Sequence, residues 1–265
     1  MPTYPTAEQW WTALLTGNPA FQLRRFRRVF RLLPSNTRCK FCNAPMEGPG
    51  VPLMRIIGQG PSSLTPYLCR RCEILAGEQL GGAEVELTLL FADVRGSTPL
   101  AERLGSADFR RIINRFYSVS AEILIKSDAW IEKFVGDQID GLYLPGFAGP
   151  RHAWLAVQAA QEILRATGHA DADGPWAPVG VGVHTGKVFM GAIGVAGRAT
   201  DITVLGDNAN TAARLASKAA AGEILISDAA YTAAGLDLSS LEQRQLELKG
   251  KTETVEVRVL RVTNG

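Results

Sequence analysis

The sequence has no large excess of charge of either sign and no long apolar run. Its 265 residues include 28 Lys and Arg and 26 Asp and Glu, so the formal net charge is only +2. This balance gives no general attraction to nucleic acid or to membranes. No apolar stretch approaches the ~20 residues that span a bilayer, and the first residues, MPTYPTAEQWW, lack the pattern of a secretory signal. We therefore expect a cytoplasmic globular protein without a nucleic-acid partner.

Cysteine is also scarce, and its four residues are confined to one segment. They form two CxxC pairs, Cys39 with Cys42 and Cys69 with Cys72. Two such pairs can supply four sulfurs to one tetrahedral metal ion, and in a reducing compartment they indicate a metal site rather than disulfides. Zinc is the expected metal, with an iron–sulfur cluster as the alternative. The site could hold its loops together, or it could sense redox state if it were accessible.

The chain divides into three parts. Residues 1–33 predict a helical segment, with a helix over 7–33 that has Phe26 and Val29 on its apolar side and several Arg elsewhere. We interpret it as packed on its own protein with a solvated basic face; contact with a membrane surface is the less favoured alternative. Residues 34–82, rich in Pro, Gly and Ser, predict a zinc-ribbon-like metal-binding module that contains the Cys pairs, and Gly81-Gly82 marks its boundary.

The third part, residues 83–265, shows strand and helix patterns. The predicted elements are a strand over 84–94, a helix over 106–127, a hairpin over 130–144, a helix over 150–167, strands over 178–189 and 223–226, a short strand ending at Gly206 with a helix after it, and a closing hairpin over 246–262. His184, inside one of these strands, is expected to be structural.

The strand over 84–94 ends in Asp93 and leads into a helix through Arg95-Gly96-Ser97-Thr98. Unpaired N–H groups at the start of a helix bind anions, and a carboxylate offers oxygen to a hard cation. This junction is suited to a phosphate and a metal ion. By itself, however, a strand-terminal Asp is more often a helix cap.

The hairpin over 130–144 has Gly136-Asp137 at its predicted turn. Asp137 would lie at the exposed tip, where its carboxylate is free to bind a ligand, and Lys133 would lie on the incoming strand. Taken alone, these two charges are weak evidence, because most Gly-Asp turns are only turns.

The stretch DITVLGDNANTAAR, residues 201–214, predicts a strand followed by a helix that Asp207 or Asn208 caps. Asn210 and Arg214 are four residues apart and therefore project from one face of this helix. An amide beside a guanidinium suits the recognition of ribose and phosphate. Decoration of the protein surface is the simpler alternative.

Five segments, in order, resemble the catalytic domain of class III nucleotidyl cyclases. They are FADVRGST (91–98), KFVGD (133–137), GVHTG (182–186), TVLGDNANTAAR (203–214) and LKGK (248–251). The resemblance covers roughly residues 84–262. It implies that residues 83–265 are a catalytic domain of the α/β class, an α+β sandwich with a ferredoxin-like βαββαβ core.

The resemblance also implies roles for the acidic and basic residues. Asp93 and Asp137 would hold two Mg²⁺ or Mn²⁺ ions, with help from a backbone carbonyl near Val94. Lys249 or Lys251 would meet the terminal phosphates of the substrate. These ions would be the cofactors of a two-metal reaction.

Substrate recognition is implied for four further residues. Lys133 and Thr203 match the positions that read the purine, Asn210 would orient the ribose, and Arg214 would bind the phosphates in the transition state. A Lys donor and a hydroxyl acceptor complement N1 and N6 of adenine, so ATP is the expected substrate. The family works as a head-to-tail dimer with shared sites, so we expect a homodimer.

The leading hypothesis is an adenylyl cyclase that converts ATP to 3′,5′-cyclic AMP and pyrophosphate. Thr203 also matches bacterial and bicarbonate-responsive members, which makes bicarbonate stimulation a secondary hypothesis. The alternatives are a guanylyl cyclase and a catalytically silent sensor with a cyclase fold that is regulated through its Cys metal site. Binding of nucleic acid by the Cys module has weak support, since few basic residues flank the Cys pairs.

Overall fold

The chain forms two compact units. The computed structural model describes residues 4–21, 23–35, 37–63, 65–195, 199–237, 240–248 and 254–262. The first unit comprises Met1–Val85, Leu144–Gly149 and Val188–Leu205, and the second comprises Glu86–Tyr143, Pro150–Lys187 and Gly206–Gly265. Two long strands, β1 (Gly81–Val94) and β4 (Val179–Val195), have residues in both units.

Several short helices lie in the first unit. They are α1 (Ala7–Thr16), α2 (Leu23–Arg31), α3 (Val51–Ile56), α4 (Arg70–Glu78) and α7 (Pro145–Ala148). The prediction of one helix over 7–33 is wrong. Gly17 ends α1 in the left-handed conformation, with φ 90°, and a 3₁₀ turn at Pro19–Phe21 precedes α2. Glycine suits this helix end because it has no Cβ to clash there.

The basic face of helix α2 is mostly solvated, as we expected, with Arg27 as the exception. Arg27 is completely buried, and its guanidinium donates 2.8 Å hydrogen bonds to the carbonyls of Lys40 and Phe41. It also lies over the ring of Phe147, 4.8 Å from the centroid. Val29, assigned to the apolar face, is 52% exposed. A buried cation needs such partners, so Arg27 fixes α2 to the loop of the first Cys pair.

The second unit contains longer helices and most of the strands. Its elements are α5 (Ser97–Leu104), α6 (Ser106–Lys126), β2 (Trp130–Val135), β3 (Gln138–Tyr143), α8 (His152–Ala166), α9 (Asp207–Lys218), β6 (Glu223–Ser227), α10 (Asp228–Ala234), β7 (Glu242–Leu246) and β8 (Val255–Arg261). These bounds confirm the hairpin and the two predicted long helices. The predicted closing hairpin over 246–262 is wrong in its first strand, because β7 ends at Leu246 instead of beginning there.

Among the helices in the described ranges, none has the length and apolar character needed to span a bilayer.

The strand order β2-β3-β1-β4-β6-β8-β7 contains the predicted ferredoxin-like core. Along the chain, the first four of these strands alternate with helices as β1-α6-β2-β3-α8-β4. The neighbours β4-β1-β3-β2 give this βαββαβ unit its characteristic order. The residues from Leu89 to Ala92 in β1 are at most 5% exposed, which explains why apolar side chains fill successive positions there rather than alternate ones.

Candidate active site and metal centre

Asp93 and Asp137 lie at the same end of the β1–β3 pair. Asp93 is the penultimate residue of β1 and is paired with Gln138, the first residue of β3. The N–H of Val94 donates a 3.1 Å hydrogen bond to the carbonyl of Asp137. Gly136 has the left-handed conformation that a tight hairpin turn requires, with φ 63°. Two carboxylates at one strand end fit hard divalent cations, which prefer oxygen ligands.

Arg95 adds a positive charge beside these carboxylates. Its guanidinium forms an ion pair with Asp93 and donates a 2.8 Å hydrogen bond to the carbonyl of Ser217, near the end of α9. Burial lowers the pKa of Arg95, while the charge of Asp137 opposes that shift. Arg95 was not predicted as a site residue; its place two residues after Asp93 is the sequence signal that could have identified it.

The first turn of α5 offers backbone donors close in sequence to Asp93. Gly96 precedes the helix with φ 63° and has no side chain to cap it. The first N–H groups of a helix have no partner within it, and the helix dipole favours an anion at this end. This start of α5 therefore has the donors that a phosphate requires.

Lys133 lies next to two buried carboxylates that the sequence did not single out. It is paired with Asp140 across β2 and β3, and its Nζ is 3.4 Å from Oε2 of Glu132. Burial raises the pKa of Asp140 to about 6, while a hydrogen bond from Gln138 lowers it. The charge of Glu132 adds to the rise, and the charge of Lys133 opposes it. The Lys133 side chain is still 54% exposed. The ammonium group is therefore oriented by acids on one side and open to a ligand on the other.

Asn208 fixes the start of α9 without capping it. Gly206 is the residue before the helix, and the prediction that Asp207 or Asn208 caps it is wrong. The Oδ1 of Asn208 lies 2.9 Å from Nε2 of His184, and the Nδ1 of that ring lies 2.8 Å from Oγ of Ser227. His184 is 7% exposed. It thus links β4, β6 and α9, which is the structural role expected for it.

Asn210 and Arg214 lie one turn apart on α9. Asn210 is exposed and Arg214 is half-buried. The Nη1 atom of Arg214 is buried and has no hydrogen-bond partner among the described residues. Leaving such a donor unpaired costs free energy, so a ligand that supplies an oxygen is favoured. Phosphate oxygens match the geometry of a guanidinium well.

Two of the predicted substrate-binding positions have less structural support. Thr203 lies in the first unit, on β5 (Ala199–Leu205), where it pairs with Gly191 of β4 and is half-buried. Lys249 and Lys251 lie outside the described residues. The roles of Thr203 and of these lysines therefore stay predictions.

The four Cys residues form one compact, buried cluster in the first unit. Their sulfur atoms all lie within 4.8 Å of one another, and those of Cys42 and Cys69 are 3.7 Å apart. With Zn–S bonds of about 2.3 Å, tetrahedral geometry separates the sulfurs by about 3.8 Å. In a four-iron cluster each thiolate binds a different iron, which holds the sulfurs farther apart. The cluster therefore fits a single tetrahedral metal ion.

Local backbone geometry brings the members of each Cys pair together. In the first pair, Asn43 is left-handed, with φ 61°, and its N–H donates to the carbonyl of Cys39 at 2.9 Å. The N–H of Cys39 in turn donates to the carbonyl of Ala44 at 2.9 Å. In the second pair, Cys69 is the residue before α4 and Cys72 lies in its first turn. A tight backbone turn therefore positions the first Cys pair, and the start of α4 positions the second.

The acidities of the thiols also favour a cation in the cluster. Burial opposes ionisation of Cys39, but hydrogen bonds from Cys42, Cys69 and Cys72 bring its pKa well below the usual thiol value. The pKa values of Cys42 and Cys72 are raised, first by their hydrogen bonds to Cys39. A bound metal cation would stabilise all four sulfurs as thiolates, because metal ligands are deprotonated.

Comparison with known families identifies the chain. The sequence profile of the adenylate and guanylate cyclase catalytic domain matches residues 83–260. That range includes both aspartates and the whole of α9. The chain therefore belongs to the class III nucleotidyl cyclase family, which confirms the resemblance found in its motifs.

Known proteins similar to the chain include adenylate cyclases. It is 29% identical over 191 residues to an adenylate cyclase of Anabaena cylindrica, which covers 68% of the chain and 38% of that relative. It is 28% identical over 179 residues to the terminal-differentiation specific adenylate cyclase of Dictyostelium discoideum, with 64% and 8% covered. The chain thus spans less than two fifths of either relative.

Solved cyclase structures have the same fold. The guanylyl cyclase Cya2 matches with a TM-score of 0.59 and 27% identity, covering 68% of this chain and 93% of that one. The adenylyl cyclase CyaB from P. aeruginosa matches with a TM-score of 0.58 and 28% identity, covering 69% and 97%. Fold and sequence are therefore shared with cyclases of both substrate classes.

Proposed function

We propose that the protein is an adenylyl cyclase, which converts ATP to 3′,5′-cyclic AMP and pyrophosphate. The observation that carries the proposal is the pairing of β1 with β3, which keeps Asp93 and Asp137 at one strand end. Two-metal phosphoryl chemistry needs carboxylates in such an arrangement. Membership of the cyclase family supports the same class of reaction.

Several side chains have distinct roles in this proposal. Asp93, Asp137 and a backbone carbonyl near Val94 would hold two Mg²⁺ or Mn²⁺ ions, which when bound lower the pKa of the ribose 3′-hydroxyl and neutralise phosphate charge. Asn210 would orient the ribose. Arg214 would direct its unpartnered Nη1 to the phosphate oxygens, where negative charge grows in the transition state.

The choice of ATP over GTP rests on Lys133 and Thr203. Adenine presents an acceptor at N1 and a donor at N6, which a Lys donor and a Thr hydroxyl complement. Guanine presents a donor at N1 and an acceptor at O6, so two donors, the N1–H group and the Lys133 ammonium, would face each other. A closed site that leaves polar groups unpaired rejects the wrong base by a factor on the order of 10⁴ in rate. Guanylyl cyclase activity is the alternative, and the similarity to Cya2 supports it.

We propose that the active enzyme is a head-to-tail homodimer. The metal-binding aspartates would come from one subunit, and the residues that bind the base, ribose and phosphates would come from its partner. Phe134 and Val135, which directly follow Lys133, are 50% and 48% exposed. Exposed apolar side chains beside a substrate-binding residue support a surface that a second subunit covers.

We propose zinc as the metal of the Cys cluster, with a single-ion site that braces the loops of the first unit. The 3.7 Å separation of the Cys42 and Cys69 sulfurs supports a single ion. Paired CxxC motifs that bind a metal are typical of reducing compartments, which supports a cytoplasmic location. Elemental analysis of the purified protein should find about one zinc per chain. Iron with visible absorption would favour the iron–sulfur alternative.

The decisive experiment measures the products formed from ATP and from GTP. Purified protein is incubated with each nucleotide and Mn²⁺, and cyclic products are separated by chromatography. We expect cyclic AMP from ATP and little cyclic GMP, with Asp93→Ala as the control for contaminating cyclases. Cyclic GMP as the main product would make the protein a guanylyl cyclase. No product from the folded dimer would favour the silent sensor.

A further inference from the structure

Helix α9 lies directly on strand β4, and a row of glycines makes this close approach possible. Side chains alternate along a strand, so one face of β4 contains Gly180, Gly182, His184 and Gly186. A Cβ on Gly182 would clash with the backbone N atom of Ala216 in α9. The helix backbone therefore rests against the strand backbone, as glycine in a strand permits.

His184 contributes the side chain in this row, and it meets the start of α9. Its Nε2 atom lies 2.9 Å from Oδ1 of Asn208. The Nδ2 atom of Asn208 donates a 2.7 Å hydrogen bond to the carbonyl of Lys187. A Cβ on Gly186 would lie 2.6 Å from Cγ of Asn208, so the amide lies against the backbone of β4. Both ends of the Asn208 amide are thus hydrogen-bonded to this strand.

The partners of His184 determine which ring nitrogen carries the hydrogen. Because Asn208 donates through Nδ2, its Oδ1 faces His184 as an acceptor, and Nε2 carries the hydrogen. Nδ1 is then an acceptor, and Oγ of Ser227 lies 2.8 Å from it. The hydroxyl of Ser227 can donate to Nδ1, since its oxygen accepts from the N–H of Ala230 at 3.2 Å as the cap of α10. A neutral His184 therefore completes one chain of directed hydrogen bonds from α10 to α9.

We propose that His184 is a positioning residue, which acts through Asn208 and sets where the first turn of α9 lies along β4. The glycines in the same row offer no side chain that could stop the helix from shifting along the strand. Leu215 belongs to the apolar cluster that also contains Leu225, but it lies two turns further along the helix, and apolar contacts are not directional. The hydrogen bonds of His184 and Asn208 supply the missing direction.

This inference rests on the proposed cyclase function, because the first turn of α9 carries Asn210. Asn210 is exposed, lies two residues after Asn208, and is the proposed ribose ligand. A shift of about 1 Å in a group that orients the substrate can cost on the order of 10² in rate. Loss of the contact between His184 and Asn208 should therefore lower kcat more than it raises KM.

Three variants and one matched control test the contact. Asn208→Ala removes the half-buried amide and should lower kcat about tenfold, with little change in KM for ATP. His184→Leu should do the same, whereas His184→Gln, whose amide N–H can replace the donor at Nε2, should recover most of the rate. Ser127→Ala is the control, since it removes the hydrogen bond between Ser127 and Tyr143 in the same unit and should keep the wild-type kcat.

A double variant separates positioning of Asn210 from a general loss of stability. Asn210→Ala alone should lower kcat, and adding Asn208→Ala should lower it less than about twofold further, because the positioned amide is already gone. Effects of the two changes that multiply would overturn the proposal, as would a wild-type kcat in Asn208→Ala. An unchanged rate in Asn210→Ala would instead contradict the proposed ribose role, and the position of α9 would be decided by the measurements that follow.

Two measurements test the position of α9 without a cyclase assay. The chain has three histidines, so the ¹⁵N signals of the His184 ring are identified by their loss in His184→Gln. We expect a neutral ring with the hydrogen on Nε2. Amides 211–214 donate to carbonyls of the first turn, and their hydrogen exchange should be at least about tenfold faster in Asn208→Ala than in Ser127→Ala. A hydrogen on Nδ1 alone, or equal exchange in both variants, would overturn the proposal.

Discussion

The guanidinium of Arg95 forms an ion pair with the carboxylate of Asp93, at the end of β1. The same side chain donates to the carbonyl of Ser217, and Oγ of Ser217 donates to the carbonyl of Arg214 at 2.8 Å. Arg95 therefore connects two parts of the proposed site. One is the end of β1, which carries the proposed metal ligand Asp93, and the other is α9, which carries the proposed phosphate-binding Arg214. A metal ion at Asp93 would compete with Arg95 for the carboxylate, and this competition would link metal binding to the position of α9.

We expect Arg95→Gln to lower the Mn²⁺ concentration that gives half-maximal cyclase activity. The substitution removes the cation that competes with the metal for Asp93. An ion pair of this kind contributes about 1 kcal/mol, so the required Mn²⁺ concentration should fall about fivefold. The measurement is the rate against Mn²⁺ at saturating nucleotide, with the exposed Arg103→Gln as control. An unchanged Mn²⁺ requirement would show that Arg95 does not compete with the metal.

The parts of the fold that were predicted correctly depend on local signals. The turn at Gly136 follows from the freedom of glycine to take positive φ, and strand β1 follows from its apolar run. The hairpin and α6 were therefore found to within a residue or two. The prediction of one helix over 7–33 is wrong because it follows the apolar spacing and not the two residues that interrupt it. Gly17 ends α1, and Pro19 begins a 3₁₀ turn.

The residues that were missed depend on packing between distant parts of the chain. Glu132, Asp140 and Arg27 have ordinary charged side chains, and charged residues are usually solvated. Their burial results from the contacts of β2, β3 and α2, which no local pattern specifies. Asp93, Asp137, Asn210 and Arg214 are predicted as site residues because ordered family motifs mark them, and not because spacing alone requires a site.

Arg214→Ala should lower kcat by a factor of 10² to 10³ and raise KM much less. The reason is that a donor aimed at developing charge contributes ~3–4 kcal/mol to the transition state. Arg214→Lys keeps the charge without the planar guanidinium and should give an intermediate rate. Lys218→Ala, an exposed change on the same helix, is the control. A rise in KM at constant kcat would mean that Arg214 binds the ground state and the transition state equally.

Mixing Asp93→Ala chains with Arg214→Ala chains should restore activity that neither variant has alone. In a head-to-tail dimer, each mixed pair contains one site with both changes and one site with neither. Random exchange makes about half of the dimers mixed, so about one quarter of the wild-type rate is expected. The measurement is the cyclase rate after subunit exchange, with mixed dimers verified by two affinity tags. Verified mixed dimers without activity would exclude shared sites.

Asp140 should make stability depend on pH in a defined direction. Burial raises its pKa from the usual value of 3.8 to about 6, so the folded protein binds this proton more tightly than the unfolded chain. The resulting stability is fully present below pH 3.8 and is lost as the pH rises through about 6.

Asp140→Asn cannot ionise and should therefore stabilise the protein at pH 7.5 by on the order of 2–3 kcal/mol. The gain should shrink as the pH falls toward 4. Denaturant unfolding at several pH values measures this difference, and the exposed Asp173→Asn is the control. A gain that is the same at every pH would contradict the raised pKa of Asp140.

Arg27→Gln should speed the loss of metal from the Cys cluster and lower the free energy of unfolding. The buried guanidinium holds the carbonyls of Lys40 and Phe41, which lie between the first two Cys ligands. Loss of these charged hydrogen bonds should cost about 3 kcal/mol. Metal release to a chromophoric chelator is timed for this variant and for Arg28→Gln, an exposed change on the same helix. Equal release from both would mean that the metal alone holds the loop.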